Sequence, residues 1–284
     1  MCTKGEKAWK TAAFILRLLN GLYAFALFLI LLGAAAFSGY VLWDSRQVLQ
    51  SAREMQTALR DYRPPAADAE DSAADGEKAE DKKRTDAPEA STENAASFQA
   101  LQALNPDICA WLSLPGTAID LPVLQGRDNN EYLSRDAFGN YHLAGSIFLD
   151  TRNSRQFADP YLLLYGHNVE NGALFADLLK YRDAAFFAQC ADGRLILPDR
   201  TWSLHPFACF QTEEREPLVF DPEYAAENLS LLLDYAGENA EQADSAVLSA
   251  LRADGGKILA MTTCTNGSDE DARTVVLARM EELP

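Results

Sequence analysis

The chain has 284 residues, and 42 Asp and Glu against 25 Lys and Arg give it a net charge of −17. That length accommodates one sizeable domain with accessory segments, or two small domains. Nucleic-acid binding requires a basic face that attracts phosphates, so the acidic balance argues against DNA or RNA as a partner.

The N-terminal segment predicts a membrane anchor. No charged residue occurs between Arg17 and Asp44, and Leu, Ala and Phe dominate this stretch. An apolar helix of that length spans about 30 Å of hydrocarbon. Four basic residues and one acidic residue precede it, and the positive-inside rule places such a flank in the cytoplasm. We therefore predict a cytoplasmic N-terminus over residues 1–17, a single transmembrane signal anchor over residues 18–43, and an extracellular remainder.

A cleaved signal peptide is the alternative interpretation of this segment, with the three alanines at 34–36 as the small-residue cleavage site. However, the apolar run is longer than the core of a signal peptide, and it continues past these alanines to Trp43. Its length favours an anchor that stays attached to the protein.

Residues 44–97 predict a stalk and a linker. Apolar residues at helical spacing over residues 44–62 indicate a helical extension of the anchor. Residues 63–97 contain no Leu, Ile, Val or aromatic residue and are rich in Pro, Ala, Asp, Glu, Lys, Ser and Thr. Such a segment cannot bury enough apolar surface to offset the entropy lost on ordering, so we expect a flexible tether.

Residues 98–284 have the composition of a globular domain. Eight short apolar runs, separated by turn residues, predict strands near 108–114, 121–124, 146–149, 161–165, 195–197, 201–210, 257–263 and 274–278. Helices are expected at 173–180, at 222–239 behind an Asp221 N-cap, and at 243–252. We therefore predict a mainly β fold with inserted helices, organised as a closed or nearly closed β-barrel.

Cys264 is the strongest candidate for a catalytic residue. It ends an apolar, β-prone run, and a polar turn follows it before the next predicted strand. A thiol at the mouth of a strand, close to a cation, is placed as a reactive nucleophile would be. The required proton-transfer partner is a histidine, and the chain has three.

Among the histidines, His167 has the position of a catalytic group. It follows the apolar run 161–165 and one glycine, and it precedes a polar turn, so the imidazole is expected at the end of a buried strand beside a cleft. A strand-end histidine that only hydrogen-bonds to the backbone is the alternative. His142 lies in a loop and His205 lies next to a proline, and neither position indicates catalysis.

Arg273 begins the strand that follows Cys264 and shares a strand face with Val275 and Leu277. A guanidinium on an apolar face indicates a contact with substrate or with an oxyanion. The alternative is a salt bridge to one of the three neighbouring acidic residues, Asp269, Glu270 and Asp271.

The residues above resemble the sortases, and most closely class B. The resemblance rests on Tyr165-Gly166-His167-Asn168, on Met261-Thr262-Thr263-Cys264-Thr265-Asn266, and on Arg273 nine residues after the cysteine. Segments 107–117 and 145–153 also look like blocks of class B members. The resemblance covers about residues 100–284. One departure is Met261, where many sortases have a leucine; both side chains are apolar.

This resemblance implies a cysteine transpeptidase on an eight-stranded β-barrel. Cys264 would attack the threonine carbonyl of a C-terminal sorting motif of the Asn-Pro-x-Thr-Asn/Gly type in a secreted protein. His167 would act as general acid and base, Arg273 would hold the carbonyl and oxyanion, and Thr263 would line the threonine pocket. The acceptor would be an amine of a peptidoglycan precursor or of a pilin.

The resemblance implies no metal or other cofactor, and the sequence has no Cys/His cluster with zinc spacing. Cys109, Cys190 and Cys209 lie in or beside apolar runs, which indicates buried thiols, with an extracellular disulfide between two of them as the alternative. Two rival functions stay open at this point: a tethered cysteine peptidase that hydrolyses its substrate, and a non-catalytic surface-binding domain.

Overall fold

A computed structural model describes residues 4–65, 87–169, 173–264 and 272–284. The chain divides into two compact units, Met1–Val48 and Leu49–Pro284. Helix α1 covers Lys4–Leu59, and within it Phe14–Trp43 is long and apolar enough to cross a membrane. This stretch contains the anchor predicted over residues 18–43. Most of the predicted tether, residues 66–86, lies outside the described residues.

The second unit begins earlier than the sequence predicts. Met55 and Leu59 near the end of α1 are buried, and they lie in the segment predicted as a helical stalk. Helix α2 covers Ala87–Leu104, and its first residues fall within the predicted tether. Phe98 and Leu101 of α2 are buried. Composition alone does not reveal the burial of Met55 and Leu59, because it depends on packing within the folded unit.

The second unit is built on the β-barrel expected from the sequence, and each of the eight predicted strands is present. Eleven strands occur in the described residues: β1 Ile108–Ser113, β2 Asp120–Leu124, β3 Ile147–Leu149, β4 Tyr161–Tyr165, β5 Asn168–Val169, β6 Ala173–Leu174, β7 Gly193–Ile196, β8 Thr201–Glu213, β9 Gln242–Ala243, β10 Lys257–Cys264 and β11 Ala272–Glu282. Eight of them pair in the order β11-β10-β4-β3-β2-β1-β7-β8, and β8 pairs with β11 to close the barrel. The short β9 adds to β8, and β5 with β6 forms a separate hairpin.

The helices of this unit differ in part from the prediction. They are α3 Ala184–Gln189, α4 Pro217–Phe220, α5 Pro222–Glu227, α6 Leu229–Asn239 and α7 Ser245–Asp254. The helix predicted at 173–180 is instead β6 followed by the 3₁₀ helix Phe175–Arg182. The predicted Asp221 N-cap is confirmed, since its carboxylate accepts a hydrogen bond from the Tyr224 amide at 3.1 Å.

The single helix predicted over residues 222–239 is two helices, because it breaks at Asn228. This residue leaves the helical region, with φ −123° and ψ 37°, and its side-chain amide donates to the Tyr224 carbonyl at 2.8 Å. Asparagine side chains compete in this way with the helical hydrogen bonds of the backbone. Helices α4–α7 pack their apolar residues against one face of the barrel, where Tyr161, Ile258 and Val275 are buried among them.

Candidate active site

The pairing of three strands gathers the predicted site residues at one end of the barrel. β10 runs parallel to β4, with Thr262 paired to Tyr165, so both strands end at the same side. β11 returns antiparallel to β10, and Cys264 pairs directly with Arg273. The backbone therefore places the end of β4, the cysteine and the arginine together. The side chain of Cys264 and residues 265–271 lie outside the described part of the chain.

Gly166 allows β4 to pass close to the 3₁₀ helix before it reaches His167. A Cβ atom at Gly166 would lie 2.7 Å from the ring of Phe175, which is closer than carbon atoms approach without displacement. The Gly166 amide donates to the Thr262 carbonyl at 3.2 Å, and the Phe175 amide donates to the His167 carbonyl at 3.1 Å. These contacts hold the backbone on both sides of His167.

The imidazole of His167 is oriented by a backbone carbonyl. Its Nε2 atom lies 2.9 Å from the carbonyl oxygen of Leu133. A carbonyl only accepts hydrogen bonds, so Nε2 carries the proton in this contact. In neutral His167, Nδ1 is then the nitrogen that can accept a proton.

Arg273 is held by a carboxylate that the sequence analysis did not consider. Its guanidinium forms an ion pair with Glu214, which follows β8, and its Nη1 donates to the Ala272 carbonyl at 3.2 Å. The arginine side chain is 19% exposed and that of Glu214 is 42% exposed. The predicted alternative partners Asp269, Glu270 and Asp271 lie outside the described residues.

These side chains share one cleft of about 350 Å³. His167, Arg273 and Thr263, three of the four predicted site residues, line it. The full set of described lining residues is Asn129, Leu133, Phe148, Tyr165, Gly166, His167, Glu214, Phe220, Thr262, Thr263 and Arg273. A cation, an imidazole and an apolar surface thus converge beside the backbone of Cys264, which is an arrangement suited to binding an extended peptide and polarising one of its carbonyls.

Three stacked aromatic rings form one side of the cleft, which we call the aromatic wall: Phe148, Tyr165 and Phe220. The rings of Phe148 and Tyr165 are 5.2 Å apart, and those of Tyr165 and Phe220 are 6.5 Å apart. This wall offers apolar area that a peptide side chain can cover.

Thr263 and Thr262 differ in how their hydroxyls are satisfied. Both residues are 2% exposed. The Thr262 hydroxyl donates to the Leu164 carbonyl at 3.1 Å, whereas the Thr263 hydroxyl has no hydrogen-bond partner among the described residues. Its strand neighbour Thr274 likewise has a buried hydroxyl without a described partner. Buried hydroxyls are normally paired, so the Thr263 hydroxyl bonds either to a residue outside the described part of the chain or to a ligand in the cleft.

The described residues that line this cleft do not include Cys109, Cys190, Cys209, His142 or His205. Cys109, Cys190 and Cys209 are unpaired thiols in the described structure, and the alternative of a disulfide between two of them is not present there. Burial raises the pKa of Cys109 and of Cys209 to about 12, so both are protonated and poorly nucleophilic at neutral pH.

His142 bonds to the Ala144 amide at 3.1 Å and to the Ser51 hydroxyl at 2.7 Å. His205 lies 2.6 Å from Asp192. Neither position indicated catalysis in the sequence, and neither residue is among the described residues that line the cleft.

Several cleft residues were missed by the sequence analysis. Asn129, Phe148, Phe220 and Glu214 reach the cleft from separate loops and strands, and nothing in their local sequence distinguishes them. Tyr165 was noted in a motif without a role. Asp150 offered a usable signal, because it is a charged residue directly after the apolar run of β3, within the segment 145–153. Among the described residues, no cluster of His, Cys, Asp and Glu could hold a metal ion.

Known proteins similar to this chain are class B sortases. A segment of 86 residues is 46% identical to Sortase B of Listeria monocytogenes, which is 30% of this chain and 35% of that protein. A segment of 125 residues is 31% identical to Sortase B of Staphylococcus aureus, which is 43% of this chain and 50% of that protein. The chain therefore matches half the length of these curated relatives or less. No protein-family model matches it.

A solved structure extends this similarity over nearly the whole length of the matched chain. A class B sortase of Streptococcus pyogenes, involved in pilus biogenesis, is 31% identical and has a TM-score of 0.59. The alignment covers 65% of this chain and 97% of that one. The strand order and the barrel closure define a sortase-type barrel, and the predicted fold class is confirmed. The chain belongs to the class B sortases.

Proposed function

We propose that this chain is a membrane-anchored cysteine transpeptidase that cleaves a C-terminal sorting motif and transfers the acyl group to an amine. The observation that carries this proposal is the convergence of His167, Arg273 and the backbone of Cys264 on one cleft. Family membership supports the reaction class.

In the first half-reaction, the Cys264 thiolate attacks the carbonyl carbon of the motif threonine. Negative charge develops on the carbonyl oxygen, and the Arg273 guanidinium supplies donors to it. As the C–N bond breaks, protonated His167 gives its proton to the leaving amine. The products are a thioester on Cys264 and the released C-terminal fragment.

In the second half-reaction, an acceptor amine attacks the thioester and His167 removes its proton. The new amide bond forms, and Cys264 leaves as thiolate. The acceptor is an amine of a peptidoglycan precursor or of a pilin. The aromatic wall and Thr263 are the proposed contacts for the motif, which is of the Asn-Pro-x-Thr-Asn/Gly type.

The anchor gives the enzyme its location under this proposal. Residues 18–43, which lie within the apolar helix Phe14–Trp43, would span the cell membrane once, with residues 1–17 in the cytoplasm and the catalytic unit outside. Secreted substrates and wall precursors would then reach the cleft on the extracellular side of the cell membrane.

The test is acyl-enzyme capture with the full chain in nanodiscs. Wild type, Cys264→Ala and Cys190→Ala are incubated with a motif peptide and analysed by mass spectrometry, with and without a glycine-based acceptor amine and a lysine side-chain amine. We expect a peptide adduct on wild type and on Cys190→Ala, and none on Cys264→Ala. When one of the two amines is added, we expect the hydrolysed peptide to be replaced by a peptide joined to that amine.

Two outcomes would overturn the proposal. If the peptide is only hydrolysed at every amine concentration, the protein is a peptidase. If no adduct forms while the peptide binds, the chain is a binding domain. A matched pair of histidine variants adds a further check: His167→Ala should abolish turnover, whereas His205→Ala should retain it.

A further inference from the structure

The buried carboxylate of Asp150 lies directly behind the cleft and bonds to groups from three parts of the chain. Its side chain is fully buried, and five hydrogen bonds satisfy it. Oδ1 accepts from the Arg152 amide at 2.9 Å and from Arg152 Nε at 3.0 Å. Oδ2 accepts from Arg152 Nη2 at 2.8 Å, from Asn129 Nδ2 at 2.9 Å and from the Tyr165 hydroxyl at 3.0 Å.

Two of these donors line the cleft, and Asp150 fixes the direction of both. The second polar atom of Asn129, Oδ1, accepts from the Thr151 amide at 2.9 Å, so its side-chain amide has one orientation. Burial, together with the neighbouring Asp150 charge, raises the pKa of Tyr165. Its hydroxyl therefore keeps its proton and donates it to Asp150, which holds the ring in the aromatic wall.

Arg152 connects the same network to helices α4 and α5. Besides its two-pronged contact with Asp150, its Nη2 donates to the Phe220 carbonyl at 2.7 Å. Its Nη1 lies 3.6 Å from the Asp221 carboxylate, which caps α5. Phe220 is the third ring of the aromatic wall. A guanidinium–carboxylate contact through two nitrogens is directional, so Asp150 fixes the orientation of Arg152. Arg152 in turn holds the end of α4 through the Phe220 carbonyl.

We propose that Asp150 and Arg152 are positioning residues that hold Asn129, Tyr165 and Phe220 in register as one binding wall of the cleft. These two residues touch no reacting atom. They act through side chains that three elements bring together: the loop before the 3₁₀ helix Glu131–Leu133, strand β4 and helix α4. The motif 145–153 therefore has a function in this chain: its acidic and basic residues assemble the wall on which a peptide lies.

This inference rests on the proposed function for the identity of the ligand, so its test has two separate readouts. The first uses no ligand: amide hydrogen exchange of the full chain in nanodiscs, for wild type and Asp150→Asn. We expect exchange of residues 127–130 and 219–222 to accelerate about tenfold in the variant, because both segments lose their shared anchor. The matched control is Asp199→Asn, which removes an exposed Asp–Arg pair and should leave these segments unchanged.

The second readout is binding of a fluorescent Asn-Pro-Ala-Thr-Asn peptide in a Cys264→Ala background, where no turnover occurs. Asp150→Asn and Tyr165→Phe should each weaken binding about tenfold, and together they should weaken it less than the product of the two effects, because they break one network. Tyr165→Phe removes a single hydroxyl and keeps the test open if Asp150→Asn fails to fold.

Unchanged exchange in both segments, or unchanged affinity in folded variants, would overturn the inference. The inference would also be overturned if the loss of peptide affinity in the double variant equalled the product of the two single-variant losses. Asp150 and Tyr165 would then act independently of each other. If Cys264→Ala with no other change fails to bind the peptide, the proposed function is wrong, and the exchange experiment still decides whether Asp150 and Arg152 hold the wall.

Discussion

The Asp150 network and the ends of β10 and β11 differ in whether their buried polar groups have hydrogen-bond partners. Behind the aromatic wall, five hydrogen bonds satisfy one buried carboxylate. At the strand ends, the buried hydroxyls of Thr263 and Thr274 have no hydrogen-bond partner in the described structure. A fully satisfied network is rigid, whereas an unpaired buried hydroxyl has a cost that a ligand can relieve. We infer that the Asp150 network sets the shape of the cleft, and that the Thr263 hydroxyl at the strand end forms a hydrogen bond with the bound ligand.

The largest effect is expected at the strand ends, from Arg273→Ala. If this guanidinium holds the developing oxyanion, its loss should lower kcat by about a thousandfold, equivalent to about 4 kcal/mol in the barrier. Steady-state kinetics with a motif peptide measures this. Arg279→Ala, on the same strand and paired with Glu281, is the control. A fall of similar size in both variants would indicate damage to β11 rather than loss of a catalytic group.

The Asp150 network should dominate stability. Asp150→Asn removes the buried charge that the 37% exposed Arg152 side chain contacts, and losing hydrogen bonds to a charged group costs about 2 kcal/mol of unfolding free energy. Urea denaturation at pH 7 measures the change. Asp199→Asn, which breaks an exposed pair, should cost less than about 1 kcal/mol. If the two variants lost the same unfolding free energy, the Asp150 network would contribute no more to stability than an exposed ion pair.

Acid pH provides a second check on the same network. Burial alone would raise the pKa of Asp150, but hydrogen bonds from Arg152 and Tyr165 outweigh it and lower the pKa. Because the folded pKa lies below the unfolded one, this stabilisation is present above the unfolded pKa of about 3.9 and is lost as the pH falls through the folded value. The stability difference between wild type and Asp150→Asn should therefore be constant from pH 7 to pH 5 and shrink below pH 4. A difference that grows on acidification would contradict this.

Two neighbouring threonines separate structural from functional hydroxyls. Thr262→Val removes the bond to the Leu164 carbonyl and should cost about 1 kcal/mol of stability. Thr263→Val removes a hydroxyl without a described partner, so stability should change by less than about 0.5 kcal/mol, while peptide affinity falls. Thermal unfolding and peptide titration of both variants make the comparison. A loss of stability in Thr263→Val equal to that in Thr262→Val would contradict it.

The smallest effect is expected at Glu214, whose ion pair with Arg273 is partly exposed. Pairs of this kind contribute less than about 1 kcal/mol. Glu214→Gln keeps an acceptor but loses the charge, so we expect kcat/KM to fall about threefold. Glu216→Gln, two residues further along the chain, serves as the control. An increase in kcat/KM for Glu214→Gln would mean that this carboxylate competes with the substrate for Arg273.

The sequence predicted the barrel better than the helices around it. Short apolar runs bounded by turn residues located the eight barrel strands, because nearly every residue of strands such as β1, β3 and β4 is buried. The predicted helix over 222–239 breaks at Asn228, since a side-chain hydrogen bond to the backbone overrides the apolar pattern there. Helix α2 begins at Ala87, within the predicted tether, and composition did not reveal it because residues 87–97 are all polar, small or proline.

By itself, the sequence predicted the barrel, the apolar N-terminal helix and the candidates His167, Arg273 and Cys264, because each is marked by its local chain context. The resemblance to a family added Thr263. Only the tertiary structure decided which side chains accompany them. Glu214 is 59 residues from Arg273 along the chain, and Asn129, Asp150 and Tyr165 belong to three different segments. The parallel register of β4 and β10, and the closure of β8 on β11, bring these groups within hydrogen-bonding distance. That convergence depends on contacts remote in sequence, which no local pattern encodes.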